Sequence, residues 1–199
     1  MTLESLGRLM ILVSPFRSEE GNGEVVDWVA AASDLAVPGF PADYREFVTH
    51  FGAGSLEDSL FLRIPRPGKP TEALTVGRIP QDTLESDILD SWSASDVLRK
   101  PDLRDMLLWG GTNASDSLFW ITAGADPEQW PVAVWGRQKG MWAIYECGMV
   151  EFIIRLLRAD FDECPISVTT LWGRGAARFL NLRDENRLWD EGIDPWEDL

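Results

Sequence analysis

The chain has 199 residues, 45% of them apolar, and carries 33 acidic against 18 basic side chains, a net charge of −15. A chain of this length buries roughly 70% of its unfolded surface, so it needs no disulfide staple. The charge repels phosphate backbones and anionic lipid, which argues against nucleic acid or a membrane surface as partner; it either speeds capture of a basic protein or simply keeps a small protein soluble.

Cys147 and Cys164 show no CxxC spacing, and His50 is the one histidine that could join them. They read as reduced thiols of a cytoplasmic protein, with no structural zinc and no cofactor expected. The apolar run Leu9–Val13, stopped by Pro15, is too short for a signal segment or a bilayer span.

In chain order, Met1–Pro15 predicts a short helix with Leu3, Leu6, Leu9 or Met10, and Val13 on one stripe. Glu24–Ala36 predicts a second helix with Val25, Trp28 or Val29, and Ala32 inward. In Phe40–Gly52, Pro41 suits the first helical turn and Tyr44, Phe47, Val48 and Phe51 recur at helical spacing. Gly52 suits the stop. Gly52-Ala53-Gly54 then reads as a tight reversal before a first strand, Leu60–Ile64, closed by Pro65 and Pro67. Pro65–Pro80 is a Pro- and Gly-rich connection. Gln81–Arg99 reads as helical through Leu84, Ile88 and Trp92, with a break at Ser93–Ser95 and Asp96 capping a last turn.

The stretch 107–157 holds five of the ten tryptophans and organises the rest. Ser117–Thr122 and Pro131–Trp135 predict neighbouring antiparallel strands. Met141–Tyr145 predicts a third, reached through a hairpin in which Gly140 is free to take positive φ. From Gly148 the period changes to 3.6, with Met149, Phe152, Ile153, Leu156 and Leu157 on one stripe of a helix that should close a face of the sheet. Asp160–Ser167 is irregular, and Val168–Trp172 could be an edge strand or a helix start. The tail Asp184–Leu199 carries seven acids against one arginine, −6 of the −15, yet Leu188, Trp189, Ile193 and Trp196 offer it apolar anchors. The expected architecture is α+β: N-terminal helices and a late amphipathic helix on a mostly antiparallel sheet. It forms a single domain over 1–199 with its core at about 25–158, a short N-terminal helix and an acidic extension at 184–199.

This order resembles the SUKH superfamily, which includes the yeast cell-wall-synthesis regulator, bacterial Syd and many bacterial immunity proteins. The resemblance rests on Asp27-Trp28, the helix entry Phe40-Pro41-Ala42-Asp43-Tyr44 with Glu46-Phe47, and the reversal Phe51-Gly52-Ala53-Gly54. It continues with Leu108-Trp109-Gly110 leading to Asp116 and Trp120, and with Gly148-Met149-Val150-Glu151-Phe152. Phe-Pro stands where Leu-Pro is usual, and Gly-Ala-Gly where many members have Asn-Gly-Gly. The resemblance implies an α+β fold and binding without catalysis, most often neutralisation of a toxin encoded nearby. It carries no active site.

The residues themselves leave few catalytic options. Any Ser-His-Asp or Cys-His mechanism would have to use His50, which falls off the apolar stripe at a helix C-terminus, where a surface cation is comfortable. Gly52-Ala53-Gly54-Ser55-Leu56-Glu57 follows a helix and lacks the third glycine of a dinucleotide fingerprint. Asp116 either ties a loop through backbone N–H groups or forms a carboxylate pair with Asp126 or Glu128. Trp109, Trp120, Trp130, Trp135 and Trp142 either pack the core or line a groove, Trp130 being the exception expected at the surface because it precedes Pro131 in a loop. The expectation is a cytoplasmic, non-catalytic immunity protein binding a basic toxin domain through anchors such as Trp130, Trp189 or Trp196. The alternatives are a regulatory scaffold module of the yeast type and a small acidic hydrolase. The short ends favour immunity over a scaffold.

Overall fold

A computed structural model describes residues 2–15, 24–84, 91–92, 96 and 100–197. The period-two runs of the central stretch form β5 (Met106–Thr112), β6 (Ser117–Ile121), β7 (Val132–Gly136) and β8 (Met141–Tyr145), each antiparallel to the next. Gly140, at φ +63°, closes the β7–β8 turn, its N–H donating to the Gly136 carbonyl at 2.8 Å. Earlier in the chain come β1 (Val13–Pro15), β2 (Gly54–Leu56), β3 (Leu60–Leu62) and β4 (Gly77–Arg78), and late in the chain β9 (Ala177–Asn181). Among the described residues these nine strands form one sheet in the order β1-β9-β2-β3-β5-β6-β7-β8. β4 lies beside the first half of β5, and β1–β9 is a parallel pair. With six helices, α1 (Thr2–Leu12), α2 (Trp28–Asp34), α3 (Ala42–Phe51), α4 (Gln81–Leu84), α5 (Met149–Arg158) and α6 (Leu182–Asp190), the fold is α+β, as expected.

One face of the sheet is closed by α1, α3 and α5, which touch one another. In α3 the residues Tyr44, Phe47, Val48 and Phe51 are all buried, and Gly52 at φ +72° ends the helix. Pro41 stands one position before the first turn, as its N-cap. The stripe of α5 is wider than its sequence spacing suggests, because Val150 and Ile154 are buried as well. The reason is α1, which lies against α5 and puts Arg8 on Glu151 at 2.9 Å.

Four expectations need correction here. Val13 is buried in strand β1 and not on the α1 stripe. The second helix starts at Trp28, not Glu24, because Asp27 caps it through the N–H groups of Val29 and Ala30 at 3.1 and 3.0 Å. That phase turns Ala31 inward and leaves Val25 97% and Val29 82% exposed. Gly54 lies within β2, where any Cβ would collide with the Leu180 carbonyl of β9, so the glycine serves close strand approach and not a reversal. The buried cluster is not confined to 25–158: it takes in Leu6, Leu9, Leu12 and Val13 before that range and Ile166, Val168, Leu171, Ala177 and Phe179 after it.

The other face carries a smaller cluster of Ile79, Met106, Phe119, Ile121, Ala133, Trp135 and Trp142. Trp92 stacks on Trp142 at 5.6 Å from an extended segment bridged to β8, so the helix expected through Leu84 and Trp92 is helical only at Gln81–Leu84 among the described residues. Ile88 and Ser93–Ser95 lie outside them. Asp96 accepts the Ile144 N–H of β8 at 3.1 Å. At 168–172 neither alternative forms, the segment being a single 3-10 turn, Thr169–Leu171.

Candidate functional site

Residues of the resemblance that are far apart in sequence meet in one aromatic train. Trp28 packs edge-on to Tyr44 at 5.9 Å, Tyr44 to Trp120 at 4.7 Å, Trp120 against Trp109 at 6.0 Å, and Trp109 edge-on to Phe152 at 6.1 Å. Phe47 stacks on Phe51 beside this train, and the Tyr44 hydroxyl donates to the Arg63 carbonyl at 2.6 Å. Gly110 lets β5 approach β3, since a Cβ there would press on the Phe61 carbonyl at 3.2 Å. Apart from the partly buried Trp28 the train is interior, so these residues chiefly build the scaffold.

Asp116 is buried at a crossing of three segments. Oδ1 accepts the Arg137 N–H at 2.9 Å and the Ser167 hydroxyl at 2.6 Å. Oδ2 accepts the Thr112 hydroxyl at 2.9 Å and the Ser167 N–H at 2.6 Å. Loop-tying is therefore its role. Asp126 caps the 3-10 turn Pro127–Gln129 through the Glu128 N–H, and Glu128 accepts the Ala42 N–H at the start of α3 at 2.7 Å. His50 is exposed at the end of α3, its Nδ1 2.9 Å from the Glu46 carbonyl. Trp130 is 2% exposed, its indole N–H donating to the Gly124 carbonyl at 3.0 Å. It is core, and the expectation that it anchors a partner is wrong: the loop before Pro131 folds over the sheet beside Trp120.

Two of the concave surfaces lie beside candidate residues. The first, of about 330 Å³, lies where the N-terminal ends of α3 and α5 meet α1, among Glu4, Arg8, Asp43, Glu128 and Glu151. Burial raises the Asp43 carboxyl above its ordinary 3.8, against the lowering pull of the Tyr44 and Val150 N–H groups, and Glu128 and Glu46 add to the rise. Burial also pushes the Cys147 thiol beside this region up to about 11 and raises Cys164, which makes both poor nucleophiles.

The second surface belongs to the C-terminal limb. Asn181 ends β9 and caps α6, its carbonyl side-chain oxygen accepting the Arg183 N–H at 2.9 Å while its amide donates to the Phe51 carbonyl at 3.0 Å. Asp184 is buried and faces Arg187 at 3.6 Å. After α6 the chain turns at Gly192, φ +75°, and Trp196 comes back onto the sheet. Trp196 is buried, donates its indole N–H to Glu185 at 2.8 Å and lies under the Arg178 guanidinium at 5.5 Å. The acidic extension is thus docked through residue 197. Trp196 is an internal anchor of the limb, 8% exposed, and what it presents outward is confined to the lining of the adjoining groove. Trp189 and Ile193 are each 49% exposed. Between the limb and β9 runs a groove of about 400 Å³ lined by Leu180, Leu188, Ile193 and Trp196. The sequence pointed to the anchors of the tail, but not to the strand they cover.

Among the described residues no group of three His, Cys, Asp or Glu side chains could hold a metal ion, and no helix is long and apolar enough to cross a membrane. Compared with protein-family models, curated proteins and solved structures, the chain has no significant match.

Proposed function

We propose that the chain is a non-catalytic protein-binding domain of the SUKH type, acting in the cytoplasm as an immunity protein that neutralises a basic toxin domain by direct contact. The observation that carries this reading is the C-terminal limb, where Trp189 and Ile193 stand half-exposed within a segment bearing −6 of the net charge. Half-exposed aromatic and aliphatic side chains ringed by one sign of charge are what a protein interface uses, the apolar groups for affinity and the charges for encounter. The aromatic train supports the reading from the inside, because it joins the residues on which the resemblance rests.

Co-expression with the product of an adjacent reading frame tests the proposal. That product alone should arrest a host, this protein should rescue growth, and the two should elute together. Arrest that this protein does not relieve overturns the immunity reading. A screen of ester, phosphoester, nucleotide and peptide substrates should show no turnover, and turnover lost in His50→Ala or Asp116→Ala would replace it with a hydrolase.

A further inference from the structure

The sheet's second face is finished differently at its two ends. At the β6–β8 end Phe119, Trp135 and Trp142 are covered by chain that precedes β5. At the β1–β9–β2 end the register puts Ser14 opposite Arg178, and Leu180 opposite Ser55, on the face away from Phe179 and the helices. Among the described residues the limb covers this end. It closes over Leu180 with Trp196 and leaves a groove that Leu188 and Ile193 also line. A volume of about 400 Å³ accommodates two or three side chains of a peptide, within the usual range of ligand clefts.

The charges around the groove are one-sided. Asp194 lines it, Glu185 bonds to its floor through the Trp196 indole, and Asp58 lies near both: after burial, Asp194 adds to the rise of the Asp58 carboxyl, and Asp58 adds to that of Glu185 against the lowering pull of the Trp196 N–H. Asp58 is presented by a tight β2–β3 turn in which Glu57 and Asp58 take φ +52° and +48°. That turn is fixed by Glu57, which is buried, accepts the Arg178 N–H and pairs with Arg174 at 3.0 Å. Among the described residues Arg178 is the one cation lining the groove, and its guanidinium lies over the face of Trp196. Among those residues the lining therefore offers no second cation to Asp58, Glu185 and Asp194.

We propose that this groove is the docking site for a basic segment of the protein partner: an apolar side chain seats between Leu188, Ile193 and Trp196, and flanking Lys or Arg side chains meet Asp58, Glu185 and Asp194. The inference rests on the protein-binding reading above and adds where the partner binds and what it presents there. Apolar contact supplies the affinity. The carboxylates select against acidic segments, for which they would be left facing like charge.

The test titrates the full chain with three synthetic hexapeptides and follows backbone amide shifts: Lys-Lys-Leu-Trp-Lys-Lys, its Glu-flanked counterpart, and a Lys-flanked Gly-Gly control. The first should move the amides of residues 58, 178–180 and 188–196, and the other two should bind at least tenfold more weakly. Ile193→Asp and Asp194→Lys should each weaken the first peptide about tenfold or more, while Ile11→Asp, on the exposed side of α1, should not. Shifts that map away from the groove, or equal binding of the Glu-flanked peptide, overturn the proposal. Melting temperature is read for each variant, and Ile193→Ala replaces Ile193→Asp if the limb loosens. The co-expression assay separates the two levels. Rescue that persists undiminished in Ile193→Asp and Asp194→Lys refutes the groove and leaves immunity standing, whereas selective peptide binding without rescue by the parent chain refutes immunity alone.

Discussion

Trp109 and Trp120 on the helix face and Trp196 in the C-terminal limb are used in opposite ways. Under α3 and α5, Trp109 and Trp120 are completely buried and their indole N–H groups have no hydrogen-bond partner among the described residues, so they act as volume and aromatic edge. On the limb side the Trp196 N–H is tied to Glu185 and its ring faces a guanidinium. The first face maximises packing even at the cost of unmet donors, each worth about 1–3 kcal/mol when buried. In the limb the indole is held by charged partners at the rim of a groove. The comparison divides a packed interior from a polar margin.

The largest test of that division is Phe152→Ala. Phe152 is fully buried against Trp109, Tyr145 and Phe161, and its loss should cost about 3–5 kcal/mol in denaturant unfolding. An unchanged midpoint would mean that the helix face is not the structural core. Next comes Asp116→Ala, which strands the Ser167 and Arg137 donors. A loss of about 1.5–3 kcal/mol is expected, with the β7–β8 turn and the segment around Ser167 losing hydrogen-exchange protection first.

A pH titration sharpens the comparison further. The Asp43 carboxyl is raised in the folded protein, so the native state binds its proton more readily than the unfolded chain does. Its contribution is therefore most favourable below its ordinary 3.8 and declines as pH rises through the raised folded value. The stability of Asp43→Asn relative to the parent should rise over that same window, and parallel pH profiles for the two proteins would remove Asp43 as the source. Smallest of all should be Trp189→Ala, within about 0.5 kcal/mol of the parent because the side chain is half in solvent. A larger loss would move Trp189 from the polar margin to the packed interior.

The parts legible from sequence were those in which one period dominates. Met141–Tyr145 has the expected bounds, and the stripe of α5 lies where its spacing put it, because β8 starts directly after Gly140 and α5 directly after Gly148, each with one period unbroken. β2 and β9 were hidden for physical reasons. β2 is three residues long and begins with a glycine required by a neighbour more than a hundred residues away. In β9 an exposed arginine is followed by three buried residues, Phe179, Leu180 and Asn181, since the limb covers the face that would otherwise alternate. Val25 and Val29 misled because apolar residues were counted without locating the cap at Asp27. The anchors of the site were visible as Leu188, Trp189, Ile193 and Trp196. Their division into inward and outward members was not, since it depends on the turn at Gly192 and on the position of Arg178.

The insertion of β9 between β1 and β2 also has a consequence for synthesis. β1 pairs only with β9, and β2 depends on β9 along one side, so that end of the sheet cannot close until Asn181 has left the ribosome. Before then the nascent chain holds an unpaired strand at Val13–Pro15 and an open edge at Gly54–Leu56, the features that recruit other chains into aggregates. Pairings this distant in sequence are slow to form. A chain that terminates before Ala177 therefore leaves Val13–Pro15 and one side of Gly54–Leu56 without the strand that pairs with them.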